Sequence, residues 1–226
     1  MADERNTTAV DALRAAYGAF TAVLADLGER ESWQPTGCTG WAVRDLVFHC
    51  LADAQRGLVA LHTPAPGPAD RDAVTYWQGW QPGTAGAANG RRWARVSASM
   101  FLDFGQLREL YAQTAAAAVH AAAAADPGGL VATQGHTLTA ADLVRTLTIE
   151  ATVHHLDLVT DLPGAAGPSA AGLATTRTSL DGLLGRPVPV EWTDAHYARA
   201  ATGRTPLTPA ERRLLGPDAD RFPLFG

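Results

Sequence analysis

Between Thr139 and Asp161 the chain places Leu143, Leu147, Glu150, His154 and Leu158 within one narrow arc of a helical wheel. A carboxylate and an imidazole therefore share the stripe of leucines that has to face a core. Burying a carboxylate is costly unless pairing, hydrogen bonding or a metal compensates its charge. The i,i+4 spacing sets Glu150 and His154 one turn apart on one face, where a single cation can take both. An anionic oxygen and a neutral imidazole nitrogen suit a divalent transition metal. Taken alone, the pair reads more readily as a buried ion pair.

A third residue shifts that balance. A second helix is predicted to open after the turn-rich stretch Pro35–Gly40, with Thr39 as its N-cap, and to run to Leu61. Its stripe is Val43, Leu46, Val47, Cys50, Ala54, Leu58 and Leu61, and His49 lies off the centre of it, so core packing accounts for His49 poorly. Two further helices are predicted, over Thr8–Leu27 and Trp93–Ala125, and Thr139 is the expected N-cap of the helix that carries Glu150. Four helices of this length predict a bundle, and bundles build metal sites from side chains on facing helices. His49, Glu150 and His154 would leave at least one coordination position open, as catalytic metal sites do. Asp157, one turn beyond His154, reads equally as a partner that orients its other ring nitrogen or as an exposed or capping aspartate. Asp53 is a weaker fourth candidate whose expected position is solvated. Cys50 reads as an inert core thiol, and Cys38 as an unactivated loop thiol.

Outside the helices, residues 62–92 are rich in Pro, Gly and Ala yet hold Tyr76, Trp77 and Trp80. A connection of that length reads as an ordered functional flap or, equally, as a loop whose aromatics pack on the bundle, and Trp80 is a substrate-contact candidate. The expected division is a metal-binding bundle over residues 1–162 and a C-terminal extension over 163–226. The extension should hold a helical piece over Pro168–Leu184, an extended run at 187–192 and a short helix over Thr208–Leu215.

Composition narrows the function classes. The 226 residues are 46% hydrophobic and 18% charged, which is a globular balance, and the net charge of −5 gives no electrostatic pull toward nucleic acid or an anionic membrane. All 18 basic residues are arginine, so a lone arginine carries little weight. With no signal peptide or membrane-length apolar run in view, and two cysteines that form no disulfide framework, a cytoplasmic setting is expected. Partners should be small molecules, and the chain a monomer or homodimer.

The run Gly40-Trp41-Ala42-Val43-Arg44-Asp45-Leu46-Val47-Phe48-His49 resembles the W-x-x-R-D-L-x-x-H entry to the second helix of the DinB/YfiT-like superfamily. Glu150-Ala151-Thr152-Val153-His154-His155-Leu156-Asp157-Leu158 resembles the E-x-x-V-H-x-x-D-L stretch of its mycothiol-dependent maleylpyruvate isomerase branch. The resemblance implies an all-α, DinB-like four-helix bundle with a mostly helical extension. It implies Zn²⁺ held by His49, Glu150 and His154, and mycothiol or a similar thiol as cosubstrate for attack on an electrophilic substrate. Arg204, in the Gly203-Arg204-Thr205-Pro206 run, is a candidate anion anchor. Residues 164–226 look too few for the full α/β C-terminal domain of the isomerase, so the resemblance leaves the substrate open, maleylpyruvate included. The same ligand set also serves non-haem Fe²⁺ enzymes and zinc hydrolases, and a non-catalytic binding module is the remaining alternative.

Overall fold

A computed structural model describes residues 2–79 and 85–226, with side chains from Thr8 onward and, after the break, from Ala88. Trp80 lies outside the described residues. The fold is all-α apart from one hairpin. Helices α1 (Ala2–Ala25), α2 (Val43–Leu61), α4 (Phe104–Ala124) and α5 (Ala140–Leu158) form the bundle, with α3 (Ala85–Ala98) leaning on α2.

Their apolar stripes meet in one core. Leu13, Phe20 and Leu24 of α1 pack with Leu46, Val47 and Leu51 of α2, Leu107 and Tyr111 of α4, and Leu143 and Leu147 of α5. Close helix approach is built in at Gly57, where an added Cβ would stand 2.6 Å from a methyl of Leu147. Helix α5 begins as expected, its Thr139 hydroxyl accepting from the Asp142 N–H at 3.1 Å.

Three expectations are corrected. The α2 cap is at Ala42, not Thr39: the Asp45 carboxylate accepts from the Ala42 N–H at 3.0 Å, while Thr39 stays in the preceding turn. The single helix predicted over Trp93–Ala125 is two, because Asp103 caps α4, accepting from the Gly105 N–H at 2.6 Å. Buried Arg44 and the Glu29 carboxylate hold that break: the guanidinium donates to Phe101 O at 2.9 Å and Glu29 accepts from the Phe104 N–H at 2.9 Å. The stretch 62–92 is likewise only partly loop, since α3 starts at Ala85 and Thr75–Gly79 makes a 3₁₀ turn.

A hairpin and a helix were not anticipated. Strands β1 (Leu130–Thr133) and β2 (His136–Thr139) pair antiparallel around Gln134-Gly135, both at positive φ (48° and 80°), the backbone of a two-residue hairpin. Helix α7 (Asp194–Ala201) lies between α6 (Ala170–Leu184) and α8 (Pro209–Leu215).

These last helices cover the outer face of α5. Ile149, Val153 and Leu156 of α5 pack with Leu180, Leu184, Tyr197 and Phe225, and with Tyr76 and Trp77 from the long connection. Helix α5 is thus buried on two sides, with Leu143, Leu147 and Leu158 facing the bundle core and Ile149, Val153 and Leu156 facing the C-terminal helices. Among the described residues no helix is long and apolar enough to cross a membrane.

Candidate metal centre

The α2 and α5 registers turn His49 toward Glu150 and His154. One ligand atom from each of the three lies within 4.8 Å of the others. The two imidazole rings stand edge-to-face with centroids 4.6 Å apart, and His154 Nε2 is 3.3 Å from Glu150 Oε2. The side chains of His154 and Glu150 are 12% and 16% exposed, so the cluster is largely desolvated but still reaches solvent. The indole of Trp41 lies beside both imidazoles, with centroids 5.1 Å from His49 and 6.4 Å from His154, and donates through Nε1 to Arg91 O at 3.3 Å.

The other face of His154 is equally built. Its Nδ1 stands 3.0 Å from Asp157 Oδ2, and that carboxylate is 1% exposed. Arg204 donates to both Asp157 oxygens at 2.8 Å, through Nε and Nη2. The Cys38 thiol donates to Asp157 Oδ2 at 3.1 Å and lies 3.8 Å from His154 Nδ1. Cys38 arrives there because Gly37 N–H donates to the Asp157 carbonyl at 2.9 Å; a Cβ at Gly37 would meet Asp157 Oδ1 at 2.7 Å. Cys38, His154 and Asp157 form a second group of potential ligand atoms.

Electrostatics follow from this packing. Burial and the neighbouring His154 charge push His49 down to about 4, leaving it a neutral nitrogen donor at physiological pH. Burial opposes charge on Glu150, but the hydrogen bond and charge of His154 outweigh it and hold the carboxyl at about 2. Burial likewise works against protonation of His154, yet its hydrogen bonds to Asp157, Cys38 and Glu150 keep its proton affinity well above the ordinary range. Against the cost of its own burial, Asp157 is held far below the usual carboxylate range by His154 and Arg204. The centre therefore alternates sign, Glu150, His154, Asp157, Arg204, each charge facing an opposite one.

Asp53 is not solvated. Its side chain is 10% exposed and pairs with Arg56, which also donates to Thr133 Oγ1 at 2.8 Å. His155 turns away from the cluster, its Nε2 on the Ala166 carbonyl at 3.0 Å and its ring against Phe20. His136 and His196 pair with Asp70 and Glu211. Cys50 is buried, which pushes its thiol up and leaves it unreactive. What sequence reasoning missed is the approach of Cys38 to α5, which has no local signature.

With this geometry in hand, comparison with known proteins is informative. A family model described as Mycothiol maleylpyruvate isomerase N-terminal domain matches residues 13–159, a span that contains His49, Glu150 and His154. Among solved structures, a crystal structure of the mycothiol-dependent maleylpyruvate isomerase superimposes with a TM-score of 0.55 at 20% identity, covering 80% of this chain and 69% of that one. At that identity the likeness speaks for the fold. No curated protein sequence matches.

Proposed function

Because this chain belongs to the mycothiol maleylpyruvate isomerase N-terminal domain family, we propose that it is a zinc-dependent thiol S-transferase or isomerase with a low-molecular-weight thiol of the mycothiol kind as cosubstrate. The observation that carries this reading is the convergence of His49, Glu150 and His154 to within 4.8 Å from two facing helices. Two imidazoles and one carboxylate are the donor set of an open zinc site, and a carboxylate on the far nitrogen of a ligating histidine is its usual support. Asp157 fills that supporting position on His154.

Zinc held by these three residues would stabilise the thiolate form of a coordinated thiol at neutral pH. The chain's own groups prepare for it. Asp157 accepts from His154 Nδ1 and so directs Nε2 toward Glu150 and His49. His49 presents an unprotonated nitrogen, Glu150 supplies negative charge, and Trp41 keeps bulk water off one side. Arg204, as a tether on Asp157, would set the angle of the His154 ring. The electrophile is a small molecule, and membership of an N-terminal domain family does not by itself assign maleylpyruvate.

The test is metal content by elemental mass spectrometry on protein purified without an affinity tag, wild type beside His154→Ala. Zinc near one equivalent in the wild type and its loss in the variant are expected, followed by thiol consumption when electrophiles are screened. Iron in place of zinc would move the reading to a non-haem Fe²⁺ enzyme with the same ligands. No metal in either sample after reconstitution would overturn it.

A further inference from the structure

Tyr17 of α1 and Tyr111 of α4 are 4% and 0% exposed, with rings edge-to-face at 6.2 Å between centroids. Among the described residues neither phenol hydroxyl has a hydrogen-bond partner. Burying an unpartnered hydroxyl is unfavourable, and phenylalanine would fill the same ring volume without that penalty. Both rings line one narrow cavity, together with Cys50 and Asp53 of α2 and Glu150, Ala151 and His154 of α5. All four bundle helices contribute to it, and it lies on the core side of the histidine–glutamate cluster.

The chemistry of this lining selects its occupant. The carboxylates of Asp53 and Glu150 disfavour an anion. A further cation beside the proposed zinc is disfavoured too, because Asp53 is already paired with Arg56 and the buried phenols keep their protons. What remains is a neutral group that accepts from phenols and donates to carboxylates, small enough for a narrow cavity. Water has that valence, two acceptor sites and two donor hydrogens, and buried waters sit where several otherwise unsatisfied polar groups converge.

We propose that this cavity is an internal water site, in which Tyr17 and Tyr111 donate to a water that donates in turn to the carboxylates of Glu150 and Asp53. The two tyrosines are then positioning residues for Glu150, fixing its carboxylate from behind while His154 faces it from the front. The water site stands on the cavity alone; its effect on metal affinity rests on the zinc reading above.

The experiment uses the full chain with Tyr17→Phe and Tyr111→Phe. Unfolding of the metal-free proteins is measured by chemical denaturation, and zinc affinity by competition with a chromophoric chelator. A high-resolution crystal structure of the wild type completes the test. The expected results are a lowered denaturation midpoint for each variant, zinc affinity weaker by about 10-fold, and density for a water within hydrogen-bond distance of both hydroxyls. Unchanged or raised midpoints in both variants would overturn the proposal, since deleting idle hydroxyls is neutral or stabilising. A dry cavity in the crystal would do the same. Lowered midpoints with unaltered zinc affinity would keep the water site and overturn the positioning role. If no zinc binds at all, the zinc reading fails, while the unfolding data and the crystal structure still decide the water site.

Discussion

Arg204 holds both oxygens of the Asp157 carboxylate at 2.8 Å, a fork-to-fork pair that ties the C-terminal segment to α5, the helix that carries Glu150 and His154. The Asp157 side chain is 1% exposed and that of Arg204 17%, so neither is compensated by water if the other is removed. The same carboxylate faces His154 Nδ1, which makes the extension part of the centre's support.

Removing the guanidinium should be felt twice. Arg204→Ala leaves the buried Asp157 carboxylate with His154 and the Cys38 thiol but without its forked partner, and should cost about 3–5 kcal/mol in stability. Zinc affinity should fall by about 10–100-fold through the freed Asp157. Arg204→Lys should restore little, because an ammonium cannot reproduce the fork. Chemical denaturation and chelator competition measure the two effects; an Arg204→Ala protein with wild-type zinc affinity would separate Arg204 from the centre.

Gly37→Ala should disturb the same carboxylate by a different route. Its Cβ would stand 2.7 Å from Asp157 Oδ1 and 3.1 Å from Asp157 Cα, too close without a shift of the loop or of α5. A loss of about 1–3 kcal/mol is expected, with weakened metal binding. Gly40→Ala is the contrast: φ is +80° there and an added Cβ meets nothing within 4 Å, so the strain is local. It should lower stability while leaving metal affinity intact. Equal metal affinities in the two variants would contradict this division.

Glu150→Gln keeps the shape of the side chain and removes its charge. Zinc affinity should fall by about 100-fold or more, because a neutral amide is a poor ligand and the centre loses its anion on the metal side. The helices should stay formed by circular dichroism. Retention of stoichiometric zinc at wild-type affinity would exclude Glu150 as a ligand.

Acid should destabilise the protein partly through His155. Its imidazole is buried against Phe20 and Ala166 O, and burial lowers its proton affinity below the ordinary value of 6.5. Below that pH the unfolded chain binds the proton more readily than the folded one. The contribution is therefore complete above 6.5 and is lost as pH falls toward the depressed folded value. Between about pH 7.5 and 5, wild-type stability should fall more steeply than that of His155→Gln, whatever their absolute difference. Parallel curves from denaturant titrations would show that His155 does not carry the effect.

How much of this was legible beforehand can be argued from single elements. The stripe from Leu143 to Leu158 and the Thr139 cap placed α5 to within a few residues, because periodicity and capping act within one or two turns. The α3–α4 break was hidden, since helix-compatible residues run through 93–102 and the decisive groups, Arg44 and Glu29, come from elsewhere in the chain. The hairpin was hidden as well, because Gln134-Gly135 takes the positive-φ conformations that Asn-Gly more often signals.

The sequence by itself determined that a carboxylate and an imidazole had to face inward on one helix, and that something had to answer their charge. Tertiary structure alone decided what answers it. His49 meets Glu150 and His154 only because α2 and α5 pack at one relative rotation. Cys38 and Arg204 reach Asp157 only because a loop and the C-terminal segment dock on the end of α5. The same packing brings Tyr17 and Tyr111, from helices far apart in the chain, to the lining of one cavity. Local preferences act over a turn or two of backbone, whereas these contacts depend on how whole helices are rotated and shifted by the interlocking of their buried side chains.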